Sequence, residues 1–133
     1  MNLKQLQEKL DYQFNNEAFL IRALTHRSHG QSNNERLEFL GDSILNFTIA
    51  SLLFEGLKQE DEGDLSRIRA SLVNQQTLAE LSTKLALSEV LRLGEGELQS
   101  GGFRRPSILA DALEAIFGAI YLDSDIESAQ GVI

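Results

Sequence analysis

Five carboxylates carry the chemistry that this sequence could do. Glu35, Glu38 and Asp42 stand at spacings of three and four within the stretch NERLEFLGDSIL, and Asp111 and Glu114 stand three apart far along the chain. At about 100° per residue, Glu35, Glu38 and Asp42 fall within an arc of about 60° on one helix. Carboxylates beside apolar residues are costly, because desolvation penalises the charge. A cation is one way to offset that cost. All-oxygen donors suit hard cations such as Mg²⁺, with Mn²⁺ as a substitute. Two such ions can clamp the attacking and leaving oxygens of a phosphodiester. The simpler alternative is a set of solvated surface charges, and spacing alone leaves it open. Neither Glu38 nor Asp42 has a basic partner four residues away, since positions 34 and 46 are both Asn.

These acids need helices to hold them. Only one proline occurs, and apolar residues recur with helical rather than alternating period, so no strand is expected. Leu3, Leu6 and Leu10 mark an opening helix, and a second runs from about Glu17 to Leu24. A long helix spans about Asn34 to Phe54, with Asn33 or Asn34 as N-cap and Gly56 as stop signal. Its expected core stripe is Leu37, Leu40, Ile44 and Phe47. Gly41 lies near the acidic seam and would let another backbone approach. Asp61, Glu62 and Asp64 suit the positive N-terminal end of a further helix, which Leu65, Ile68 and Leu72 stripe with apolar side chains. Leu78, Leu81 and Leu85 continue the helical signal to about Leu87. The segment Gly94 to Gly102 reads as a flexible loop. A helix from about Pro106 to Leu122 follows, with proline at its first turn. Its apolar face is Leu109, Leu113, Ile116, Phe117 and Ile120. Ala112, Ala115, Gly118 and Ala119 permit close packing on its acidic side. A last helix begins near Asp123.

The chain has 133 residues, enough for one domain with a real core. With no cysteine, disulfides, thiolate metal sites and cysteine nucleophiles are excluded. No uninterrupted apolar run approaches a membrane span of roughly 20 residues, and the first residues lack a signal-peptide core. A soluble, cytoplasmic protein without membrane contact is the expectation. The net charge of −8 weighs against a nucleic-acid partner. Several acids fall in short clusters, however, and bound divalent cations would cancel part of the excess.

Thr25, His26, Arg27 and Ser28 have the types of a nucleophile or phosphate site. Nothing in the sequence orients them as a triad, so capping and packing are the simpler roles. His29 has no assigned role. Arg104 and Arg105, next to Phe103 and the glycine-rich segment, could touch a ligand's phosphates or form a solvated turn. The GEGE glycines lack a preceding strand and a following lysine, so they make no phosphate-binding loop.

NERLEFLGDSIL closely resembles the signature of the ribonuclease III family. ALTHRSH, DEGDLSRIRASLV, LRLGEGELQSGGFRR and ILADALEAIFGAIYLDSD are similar to further segments of that family, in its order and spacing. The resemblance implies an all-α endonuclease domain covering residues 1–133 and acting as a homodimer. It implies Mg²⁺-dependent hydrolysis of double-stranded RNA, leaving 5′-phosphates, 3′-hydroxyls and short 3′ overhangs. Processing of ribosomal, messenger and transfer RNA precursors is part of the same implication. The family's catalytic and metal-binding positions map onto Glu38, Asp42, Asp111 and Glu114. Glu35 and Glu62 match further acidic positions along its cleavage valley. Phe39 matches an aromatic knob that enters a socket on the partner subunit; a second buried contact within the chain is the alternative. Arg104 and Arg105 fall in the loop near the bound duplex. Longer members carry a double-stranded RNA-binding domain after the nuclease domain. No such segment fits here, and the last helix reads as cut short. A non-catalytic RNA-binding or scaffolding relative of the same fold is the competing reading, as is a plain helical dimer with surface acids. The non-catalytic relative should have lost some of the four acids, and this chain keeps them all.

Overall fold

The computed structural model describes all 133 residues and contains no strand. Eight helices follow in order: α1 (Leu3–Leu10), α2 (Glu17–Ala23), α3 (Glu35–Gly56), α4 (Glu62–Val73), α5 (Gln75–Lys84), α6 (Glu95–Gln99), α7 (Pro106–Asp123) and α8 (Ile126–Val132). Short 3₁₀ turns at Leu87–Glu89 and Gly102–Arg104 join the later ones. The all-helical architecture expected from the period of the apolar residues is the one observed.

Helix α7 is the hub. From Ile108 to Ile120 every residue but Asp111 is buried, and α2, α3, α5 and α8 all pack against it. Its meeting with α3 is made backbone to backbone. A Cβ added at Gly41 would overlap the Glu114 carbonyl, and one added at Gly118 would overlap the Leu37 carbonyl. Glycine at both positions therefore lets the helices cross closely. That contact brings the helix face bearing Glu38 and Asp42 against the face bearing Asp111 and Glu114.

The chain ends of this hub are tied by polar contacts. The Asp123 carboxylate, at the end of α7, accepts from the Tyr12 hydroxyl at 2.6 Å and from the Asn15 and Asn16 N–H groups, each at 2.8 Å. Burial pushes Asp123 upward, but these three hydrogen bonds outweigh it and hold the carboxyl below its ordinary range. Burial, then the hydrogen bond and charge of Asp123, push the Tyr12 phenol up to about 12.

Three local expectations change. Phe47 is 62% exposed and takes no part in the core stripe; the buried line of α3 is Leu37, Gly41, Ile44, Leu45 and Thr48. α3 is apolar on more than one face, and periodicity cannot say which face meets the hub. The segment Gly94 to Gly102 is not a plain loop, because α6 occupies its centre. The helical signal from Asp61 to Leu87 is broken at Asn74, whose extended backbone lets its side chain accept from the Thr77 N–H and start α5 anew. At the start of α3 the two asparagines divide the work. Asn33 accepts from the Glu35 N–H, while buried Asn34 donates to the Ala23 carbonyl. By length and composition, α3 is apolar enough to cross a membrane. Here the Gly41–Gly118 crossing binds it to α7 inside the fold.

Candidate metal centre

The α3–α7 crossing gathers the acids. Carboxylate oxygens of Glu38, Asp111 and Glu114 lie within 4.8 Å of one another. Asp42 stands outside that set of three, on the same face of α3 as Glu38, and its carboxylate acts on Glu114. It is held from its own helix as well, since the Asn46 amide donates to the Asp42 side chain at 3.2 Å and to its carbonyl at 2.9 Å.

Burial and charge act on these groups together. Glu114 is only 6% exposed. Desolvation, then the hydrogen bond and charge of Asp42, then Glu38, push its carboxyl up to about 10. Asp111 is also raised, first by burial and then by Glu38, while His26 and Arg27 pull it back down. Without a cation the cluster thus favours the protonated form of Glu114. A sealed carboxylate among like charges favours whatever brings positive charge, and an all-oxygen donor set suits a hard divalent ion. The residues present therefore fit such an ion.

Other residues singled out from the sequence are placed elsewhere. Glu35 is exposed and lines a hollow beside Phe39. Glu62, in the first turn of α4, lines a second hollow with Leu53, Phe54 and Arg69. Within one chain neither joins the cluster. Phe39 is 75% exposed, so the alternative of a buried contact within the chain does not hold. The Arg104 guanidinium lies 5.0 Å over the Phe103 ring, and Arg105 lies 3.7 Å from Glu97. Neither arginine belongs to the acidic cluster. His26 and Arg27, for which the sequence offered capping and packing as the simpler roles, are close enough for their charge to act on Asp111. The motif ALTHRSH signalled these residue types, but only the fold turns them toward α7.

A helical fold that sinks one carboxylate among three others at a glycine-lined crossing defines an acidic centre of the hard-cation kind. Residues 16–133 match the family described as ribonuclease-III-like. Ribonuclease 3 of Bordetella pertussis is 61% identical over 133 residues, which are 100% of this chain and 52% of that protein. Ribonuclease 3 of Cupriavidus pinatubonensis is 62% identical over the same 133 residues, again 52% of its length. A solved nuclease domain of ribonuclease III from Campylobacter jejuni is 44% identical. It aligns with a TM-score of 0.96 over 98% of this chain and 92% of that one, and was described for flexibility in the region of its dimer formation. The chain belongs to the ribonuclease-III-like family, and its fold is that of the family's nuclease domain. It spans about half the length of the curated relatives it matches.

Proposed function

We propose that this chain is the catalytic part of a divalent-metal endoribonuclease that hydrolyses phosphodiester bonds in double-stranded RNA. The products are 5′-phosphate and 3′-hydroxyl ends with short 3′ overhangs, and the compartment is the cytoplasm. One observation carries this reading: carboxylate oxygens of Glu38, Asp111 and Glu114 converge within 4.8 Å. Glu38, Asp42, Asp111 and Glu114 would hold the ions, with Mg²⁺ as the working metal and Mn²⁺ as a substitute. Such ions supply a Lewis acid for the phosphate and lower the pKa of bound water. Glu114, the most deeply buried of the four, fixes where positive charge must sit. Asp42, oriented by Asn46, and the half-buried Glu38 face it from α3. Glu35 and Glu62 serve the same valley from further out, and Arg104 and Arg105 meet the RNA backbone at its edge. Arg104 is the freer of the two, because Arg105 faces Glu97. A-form duplexes present shape, phosphates and 2′-hydroxyls rather than a readable deep groove, so scattered cations suffice.

The working unit is a homodimer built on α3. Phe39, Phe47 and Phe54 are all more than 60% exposed on that helix. Aromatic side chains of this size are favoured at the centres of interfaces. A hollow of about 790 Å³ lined by Phe19, Leu37, Leu40 and Leu122 opens beside Phe39. In a two-fold dimer each subunit presents the same patch, so the knob of one copy meets the hollow of the other.

The test is incubation with a long RNA duplex at low salt, with Mg²⁺ and separately with chelator. Cleavage in Mg²⁺ that chelator abolishes is expected. Binding without cleavage would support the scaffolding relative instead.

A further inference from the structure

The His26 ring is held at Nδ1 by two contacts with Ser28. Its Nδ1 accepts the Ser28 N–H at 3.1 Å and lies 2.8 Å from the Ser28 hydroxyl. A backbone N–H can only donate, so in the neutral ring Nδ1 is the acceptor and the hydroxyl donates to it too. The ring hydrogen then sits on Nε2. The Ser28 hydroxyl oxygen accepts in turn from the Gly94 N–H at 2.8 Å. Gly94 passes so close to the Ser28 carbonyl that a Cβ there would overlap it.

The same loop is tied to the acidic centre through the backbone. The Asn34 N–H donates to the Thr25 carbonyl at 2.9 Å, and the Glu38 N–H donates to the Asn34 carbonyl at 2.8 Å. On the other side, the His26 N–H donates to the Arg92 carbonyl at 2.9 Å, and the Arg92 N–H to the Leu24 carbonyl at 2.8 Å. The loop is thus anchored to the helix turn that carries Glu38.

A phosphodiester entering this centre meets several carboxylates that repel it. Donors on the rim offset that repulsion, and hydrogen bonds to a charged oxygen are the strong ones. We infer that the Thr25–His29 loop is the phosphate-holding rim of the acidic centre: His26 donates from Nε2 to a nonbridging oxygen of the substrate phosphodiester beside the Arg27 guanidinium, and Ser28 is the positioning residue that sets the tautomer. This rests on the endonuclease reading of the same site.

His26→Asn and His26→Gln separate the two ring nitrogens. The shorter Asn keeps an acceptor near Nδ1 for Ser28 but has nothing at Nε2. The longer Gln puts an amide N–H near the Nε2 position. Three quantities are measured for the parent and both variants: kcat/KM on a duplex RNA in Mg²⁺, Mn²⁺ affinity of the RNA-free protein, and thermal midpoint. His26→Asn should lower kcat/KM by about 10- to 100-fold, the loss of one charge-assisted hydrogen bond. Mn²⁺ affinity and midpoint should stay at the parent's values, and His26→Gln should recover part of the loss. Activity of His26→Asn within about twofold of the parent overturns the assignment. So does an activity loss matched by lost Mn²⁺ affinity or a lower midpoint, and so does equal loss in Asn and Gln. A parent that does not cut the duplex at all overturns the endonuclease reading instead.

Discussion

Glu114→Gln tests the acidic centre through three independent quantities. The side chain is sealed at the α3–α7 crossing and its carboxyl is pushed from 4.5 up to about 10. Its folded value is raised, so its contribution to stability is fully present below pH 4.5 and is lost as pH rises toward 10. One proton bounds the slope at about 1.4 kcal/mol per pH unit. Glu38 is half-buried and Asp42 exposed, so both can turn toward water, and a slope of about 0.5 kcal/mol per unit is expected after that screening. Gln has no proton to lose, and its amide can donate to a neighbouring carboxylate as a protonated acid would. In chelator the variant should match the parent near pH 5 and exceed it by about 1.5 kcal/mol at pH 8, a rise of about 5 °C in midpoint. Mn²⁺ at about 100 times its Kd should add about 2.7 kcal/mol to the parent and far less to the variant. Cleavage of duplex RNA in Mg²⁺ should fall by about 10³-fold while RNA binding persists. A variant that keeps the parent's pH slope, its Mn²⁺ stabilisation or its turnover refutes the reasoning for that quantity.

Phe39→Ala should leave the isolated subunit's stability within about 0.5 kcal/mol, as for an exposed site. It should weaken self-association by about 2 kcal/mol, or about 30-fold in Kd; sedimentation equilibrium showing a parent-like dimer would count against the knob. Gly41→Ala drives a Cβ into the Glu114 carbonyl and should cost about 2–3 kcal/mol, seen as a midpoint lower by about 10 °C. Its Mn²⁺ affinity should drop with it, because the crossing that assembles the acids must widen; a neutral effect on both would remove the role given to the glycine. Asp123 is held below its ordinary range, so its contribution is present above about pH 4 and is lost as pH falls through the folded value. Asp123→Asn should cost about 1–2 kcal/mol at pH 7 and flatten the acid limb of the stability curve, as urea titrations between pH 2 and 7 would show.

Much of the fold is legible because its helices announce themselves by period and cap. Pro106 opens α7, Gly56 closes α3, and Asp61 caps α4 by accepting from Asp64. The illegible parts are those where sequence gives apolarity without direction. Leu37 and Phe47 look alike as members of an apolar stripe, yet one faces α7 and the other faces out. The deciding fact is the position of Gly41 and Gly118. Only glycine permits that backbone contact, and it selects the line through Gly41 and Thr48 as the buried one. Asn74 escaped for a different reason. A single extended residue that caps the next helix leaves the leucine spacing on both sides unchanged.

The site shows the same division between residue type and relation. The types of Glu38, Asp42, Asp111 and Glu114 are plain in the sequence, but their inequality is not. Only the crossing makes Glu114 the buried member and leaves Asp111 on the rim, where His26 and Arg27 act on it. The position of Gly41 accounts for that asymmetry. It sits between Glu38 and Asp42 in sequence and against the Glu114 backbone in space. The α3 acids therefore flank the carboxylate they must repel. A cluster built this way is strained without positive charge, and the glycine that stabilises the fold by close packing is what brings the acids together to create that demand.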